Sequence, residues 1–197
     1  MMTGPVAGFR RLLAALDRLG IPYLVGGSAA SSVHGIWRAT ADIDIVAAIG
    51  PAHVDLLVEE LGSDFYVDAD QIRSALEQER SFNLIHFQSG FKFDIFPLAA
   101  DPYQQAQFGR RHHETCSLFG GEPIEFTVAT AEDVILSKLR WYRQGGEVSE
   151  QQWNDVLGVV AVQRGRLDLD YLRQWARYLK VSALLEQALA ERRESGG

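Results

Sequence analysis

The apolar positions along the chain change period several times, and each change marks an element. Phe9, Leu12, Leu13, Leu16 and Leu19 recur at helical spacing, and Gly20 with Pro22 ends that run. Tyr23-Leu24-Val25 is a continuous apolar stretch of the kind a short buried strand needs. Gly26-Gly27 turns the chain, Ser28 can cap a helix reaching His34, and Gly35 suits its far end. Residues 43–48 read as a strand, and 51–61 as an amphipathic helix with Pro51 in its first turn. A short strand over 64–67 and a helix over 70–79 follow. Residues 83–88 and 91–96 are β-rich and joined by Ser89-Gly90, a hairpin pattern. A short helix is expected over 103–108, then a second hairpin from 113–118 and 124–128 around Gly120-Gly121.

From Thr130 onward the period is helical throughout. Thr130 can cap a helix carrying Ile135, Leu139 and Tyr142. Ser149 and Gln152 stand in the Ser-x-x-Gln relation of a capping box, ahead of Trp153, Val156, Leu157 and Val160 on one face. Leu169, Leu172, Ala176 and Leu179 mark a third helix, and Leu185, Ala188 and Leu189 a fourth. The expectation is therefore an α+β protein. Residues 1–129 form a mixed sheet of four to six strands flanked by helices, and residues 130–197 a C-terminal helical bundle packed on the site. Trp141, Trp153 and Trp175 read as core anchors of that bundle, and the terminal Glu194-Ser195-Gly196-Gly197 as a fraying end.

Composition narrows the function classes. Of 197 residues 47% are hydrophobic, enough for a substantial core. A net charge of −7 argues against a broad basic face for nucleic acid. Arg110-Arg111-His112-His113 is a local cationic patch that can touch phosphates, and its plainer reading is a solvated loop or edge strand. The lone Cys116 excludes an internal disulfide, fits a reducing cytoplasmic setting and reads as a buried structural thiol. The run from Phe9 to Leu19 is broken by Arg10, Arg11, Asp17 and Arg18, so it is no leader, and no apolar run reaches the ~20 residues a bilayer requires. Zinc spacing, a Gly-x-Ser-x-Gly elbow and a Walker loop are all missing; His53 and His86 stand alone, and His34 reads as structural.

The chemistry concentrates between Gly26 and Asp44. Gly26 and Gly27 let the backbone approach a phosphate, the amides opening the next helix favour an anion, and the Ser28 hydroxyl can donate to a β- or γ-phosphate oxygen. Within one helix length come Arg38, Thr40 and Asp42-Ile43-Asp44. On a strand Asp42 and Asp44 point the same way while Ile43 and Ile45 point into the core. Carboxylates this close repel unless a cation lies between them, and Mg²⁺ (or Mn²⁺) prefers carboxylate and phosphate oxygens. Lys92 and Asp94 share one face of the run Phe91-Lys92-Phe93-Asp94-Ile95-Phe96, so Asp94 can complete a triad if the two strands are neighbours. Two metal ions ~4 Å apart could then clamp an in-line displacement. The alternatives are a solvated strand edge or surface calcium site for Asp42 and Asp44, a paired structural carboxylate for Asp94 with Lys92, and a simple helix cap for Ser28.

Those residues carry a resemblance to the polymerase-β-like nucleotidyltransferase superfamily, and most nearly to the small bacterial members that include abortive-infection-type (AbiEii-like) toxins. The shared pattern is a Gly-Ser turn, an arginine and threonine ahead of Asp-x-Asp, and a later third carboxylate, here Gly27-Ser28, Arg38, Thr40, Asp42, Asp44 and Asp94. The resemblance implies metal coordination by Asp42, Asp44 and Asp94 and a triphosphate grip by Gly27 and Ser28. It implies transfer of a nucleoside monophosphate from a nucleoside triphosphate, ATP among the candidates, to an acceptor hydroxyl of a protein, a tRNA or a small molecule. Asp94 would be the base by analogy. Toxin relatives add a lysine-bearing helix, which Lys138-Leu139-Arg140-Trp141 resembles, and an Asp-x-x-Asp helix, of which Gln152-Trp153-Asn154-Asp155 keeps the later aspartate. That departure leaves open an inactive nucleotide- or protein-binding module and a toxin partnered by an antitoxin protein.

Overall fold

The computed structural model describes residues 4–119 and 122–194, with backbone alone for 192–194. The expected turn at Gly120-Gly121 and the end at Ser195-Gly196-Gly197 lie outside the described residues. The chain begins with α1 (Pro5–Arg18), β1 (Tyr23–Val25), α2 (Gly27–His34) and β2 (Asp42–Ala47). A single 3-10 turn (Pro51–His53) leads into α3 (Val54–Leu61), followed by β3 (Phe65–Tyr66), α4 (Ala69–Glu77), β4 (Phe82–His86) and β5 (Lys92–Pro97). Then come α5 (Pro102–Arg110), β6 (His112–Cys116) and β7 (Ile124–Val128), and the helices α6 (Ala131–Gln144), α7 (Glu150–Val162), α8 (Leu169–Tyr178) and α9 (Ser182–Glu194).

The strands form one mixed sheet in the order β3-β4-β5-β2-β1-β7-β6. The seven strands among the described residues exceed the expected four to six, because the two-residue β3 pairs antiparallel with β4 through Phe65 and Tyr66. β2 is the pivot. It runs antiparallel to β1 and parallel to β5, and β1 in turn runs parallel to β7.

Alternation fixes the two faces of the sheet. Ile43, Ile45, Phe93 and Ile95 are buried on one face, where Phe9 of α1 lies 6.2 Å from the Phe93 ring and 5.4 Å from Phe126. The other face carries the acidic residues and is partly roofed by α2, which packs against β2, α6 and α7. The polar cap residues expected at Thr130 and Ser149 accept from the amides of Asp133 and Gln152. Asp68, Asp101 and Asp168 cap α4, α5 and α8 in the same way, each worth about 1 kcal/mol.

Three local expectations are corrected. Gly26, not Ser28, is the N-cap of α2, so the Ser28 side chain is released from capping. The capping box at Ser149 is half-formed: the Gln152 side-chain oxygen Oε1 is buried without a partner. Trp141 is 56% exposed, on the outer side of α6, while Trp153 packs at a tilt 5.3 Å from the Tyr142 ring and Trp175 5.5 Å from that of Tyr103. The cationic patch is absorbed into structure: Arg110 ends α5 over the Tyr171 ring, paired with Glu132, and His112 and His113 lie on the edge strand β6. The His34 Nε2 lies 2.7 Å from the Ala129 carbonyl, a structural contact.

Candidate active site

The site is assembled from two sides. The first is the sheet. The parallel register sets Asp42 beside Lys92 and Asp44 beside Asp94, so all four side chains leave the same face. Lys92 Nζ donates to Asp94 Oδ2 at 2.7 Å and stands 3.6 Å from Asp42 Oδ2. Thr40 donates its hydroxyl to the Asp42 carbonyl at 2.8 Å and lies 3.4 Å from Asp42 Oδ1. Its visible task is to orient Asp42 at the start of β2.

The second side is the start of α2. The Gly26 amide is used, donating to the Asp44 carbonyl at 2.9 Å, which ties the turn to β2. The amides of the first helical turn have no partner within the helix and face outward from its positive end. Gly27 has φ +55°, and a Cβ there would lie 1.7 Å from Asp44 Oδ2. Glycine is therefore required twice over, by the left-handed backbone and by the carboxylate packed against it. Ser28 Oγ accepts from Arg38 Nη2 at 2.5 Å and from Lys138 Nζ at 3.3 Å, which leaves its own proton to donate elsewhere.

Both cations are held by one carboxylate. Asp155 accepts from Arg38 Nε and Nη2, each at 2.9 Å, and from Lys138 Nζ at 2.8 Å. Lys138 is 4% exposed, so its ammonium sits inside the junction of α2, α6 and α7 rather than reaching into solvent. Gln151, with its amide oxygen turned toward Arg38, accepts from both terminal nitrogens at 2.9 Å. Sequence reasoning did not single out Gln151. Its one signal is its place in the first turn of α7, one turn ahead of Asp155.

The electrostatics divide along the same line. Burial pushes the Asp155 carboxyl up, but Arg38 and then Lys138 outweigh it and hold the group below the ordinary carboxylate value. Asp44 goes the other way: burial first, then Asp42 and Asp94, raise it to about 6, with Lys138 and Lys92 only partly relieving it. Negative charge at the sheet is under-compensated. Three carboxylates with no thiolate or imidazole among them form an oxygen set suited to a hard divalent cation. Among the described residues no three acidic, histidine or cysteine side chains form a ready-made metal cage. A site that shares its ion with substrate phosphates does not need one.

The mixed sheet flanked by helices has the same fold as solved nucleotidyltransferase structures. The antibiotic-resistance factor ANT(2'')-Ia, in solution, superposes with a TM-score of 0.56 at 18% identity, over 92% of this chain and 95% of that one. The same factor in complex with adenylyl-2''-tobramycin gives 0.52 at 16% identity, over 88% and 97%. An antigenic nucleotidyltransferase-like protein from Paracoccidioides brasiliensis gives 0.51 at 16% identity, over 96% and 94%. No protein-family profile and no curated protein sequence matches the chain. Among the described residues no helix is long and apolar enough to cross a membrane.

Proposed function

We propose that the protein is a metal-dependent nucleotidyltransferase that moves a nucleoside monophosphate from a nucleoside triphosphate to an acceptor hydroxyl and releases pyrophosphate. The observation that carries this reading is the in-register placement of Asp42 and Asp44 on β2 beside Asp94 on β5, directly against the Gly27-Ser28 start of α2.

The triphosphate lies on the helix side. The first-turn amides of α2, the Ser28 hydroxyl, Arg38 and Lys138 bind its β- and γ-phosphates, and Asp155 is the counter-ion that keeps the two cations in place while no nucleotide is bound. A divalent cation, Mg²⁺ or Mn²⁺, held by Asp42, Asp44 and Asp94, would neutralise charge on the phosphoryl oxygens when bound. Asp94 takes the proton of the acceptor hydroxyl. Lys92 occupies its Oδ2, so Oδ1 is the accepting oxygen. The acceptor oxygen then bonds to the α-phosphorus as the bond to the β-phosphate oxygen breaks.

The acceptor approaches over the open part of the same face. Asn83 pairs with Asp94, and beside it a second row leads outward from Lys92 through Ile85 to Tyr66. Tyr66 is 52% exposed, a flat surface for a ring-shaped small molecule. The adenylylated tobramycin bound to ANT(2'')-Ia supports ATP as donor and a small polyhydroxylated molecule as acceptor.

The test is pyrophosphate release with each nucleoside triphosphate, Mg²⁺ and, in separate arms, aminoglycosides, tRNA or protein. The wild type should release pyrophosphate with one acceptor class, and Asp94→Ala should lose about 10²–10⁴-fold. Full activity in Asp94→Ala overturns the assignment. A second reading is a nucleotide-binding module without turnover. It is favoured by one observation, that Asp155 already pairs with both phosphate-binding cations. Such a module binds nucleotide but releases no pyrophosphate with any acceptor. A toxin role would instead show as growth arrest on expression, relieved by an antitoxin protein.

A further inference from the structure

We infer that Lys92 takes the place of one of the two divalent ions a carboxylate triad of this kind can hold, so that the site is built for one metal ion and a resident ammonium. The inference rests on the metal-site reading above and concerns the number of ions, not the reaction.

Its first support is position. The Lys92 ammonium stands between the carboxylates of Asp94 and Asp42, at 2.7 and 3.6 Å, on the half-exposed side of the cluster. Those two side chains come from different strands, so the lysine bridges β2 and β5 as an ion would. The second is confinement. The parallel register and the strand's alternation fix the Lys92 Cβ on the acidic face, since Phe91 and Phe93 beside it are buried in the core. On its other flank the paired residue of β4 is Ile85, which offers no anion to draw the ammonium away. The third is charge. Three carboxylates and one ammonium leave two negative charges, the complement of a single divalent ion. A second ion beside Lys92 would meet a fixed positive charge within contact distance.

Electron paramagnetic resonance of Mn²⁺ titrated into the full-length protein counts bound ions without using activity. The wild type should bind one ion per chain. Lys92→Gln should bind two, the second lost again on adding Asp94→Asn, and should bind its first ion at least tenfold more tightly. Lys92→Arg should stay at one. Lys92→Met, which keeps the apolar stem, repeats the test should the glutamine variant fail to give a native circular dichroism spectrum. Two ions on the wild type, both lost in Asp42→Ala/Asp44→Ala, overturn this inference and leave the metal-dependent function standing. One ion of unchanged affinity in both Lys92→Gln and Lys92→Met also overturns it. No bound Mn²⁺ on the wild type or on any Lys92 variant overturns the metal-site reading and this inference with it.

Discussion

Replacing Gly27 with alanine separates two physical demands that meet at one atom. Gly27 opens α2 with φ +55°, a region that costs an L-residue about 1–2 kcal/mol. The new Cβ would also fall 1.7 Å from Asp44 Oδ2, 2.7 Å from its Cγ and 3.0 Å from its Cβ. The carboxylate must then leave its rotamer, at about 0.5–1.5 kcal/mol. Together these come to about 1.5–3.5 kcal/mol, or about 3–14 °C in Tm for a chain of this size. Urea unfolding of Gly27→Ala in two backgrounds resolves the parts. Against native Asp44 the full loss is expected. Against Asp44→Ala the collision with the carboxylate is gone and only the 3.0 Å approach to Cβ stays, so the loss should fall toward the backbone cost of about 1–2 kcal/mol. Equal losses in both backgrounds, or a loss below about 0.5 kcal/mol in the native one, would refute the claim that this turn is packed against the Asp44 carboxylate.

Other outcomes follow from the charges. Asp44 has a folded value raised to about 6, so its contribution to stability is full below the unfolded value of 3.8 and is lost as pH rises through about 6. In metal-free buffer Asp44→Asn should therefore raise the unfolding free energy at about pH 7.5 by about 1–2 kcal/mol after screening, and the gain should fade between about pH 6 and 4; a pH-independent difference would count against it. Asp155→Ala leaves the buried Lys138 without its partner and should cost about 3–5 kcal/mol, part of which inorganic triphosphate restores; no restoration would argue that these cations do not bind phosphate. Tyr66→Ala should raise the acceptor KM several-fold while leaving the nucleotide KM unchanged, and equal effects on both would remove Tyr66 from the acceptor face.

How much of this was legible in the sequence depends on range. Asp42 and Asp44 on one face, and Lys92 with Asp94 on one face, follow from strand alternation alone, because Ile43, Ile45, Phe93 and Ile95 pin the opposite face in the core. The register that sets Asp44 beside Asp94 does not follow, since parallel pairing of two remote strands is settled by the whole sheet. Arg38 illustrates the limit. The resemblance sets it in the nucleotide-site pattern ahead of Asp42, yet its firmest partner in the folded chain is Asp155, 117 residues away. Gln151 joins the same arginine with no local pattern to announce it. The short strand expected over 64–67 is present as the two-residue β3, and its pairing with β4 carries the sheet past the expected size. Ser28 shows local chemistry overruled: a good capping residue sits one place inside the helix because Gly26 and Gly27 adopt the turn that brings the chain against Asp44.

The central claim is that one pocket binds both nucleotide and metal through Asp42 and Asp44. Calorimetric titration with each of the four ribonucleoside triphosphates, with and without Mg²⁺, tests it directly on the wild type and on Asp42→Ala/Asp44→Ala. The account predicts Mg²⁺-dependent binding of at least one nucleotide to the wild type, abolished in the double variant. Binding that persists in the folded double variant, or is indifferent to Mg²⁺, would contradict it.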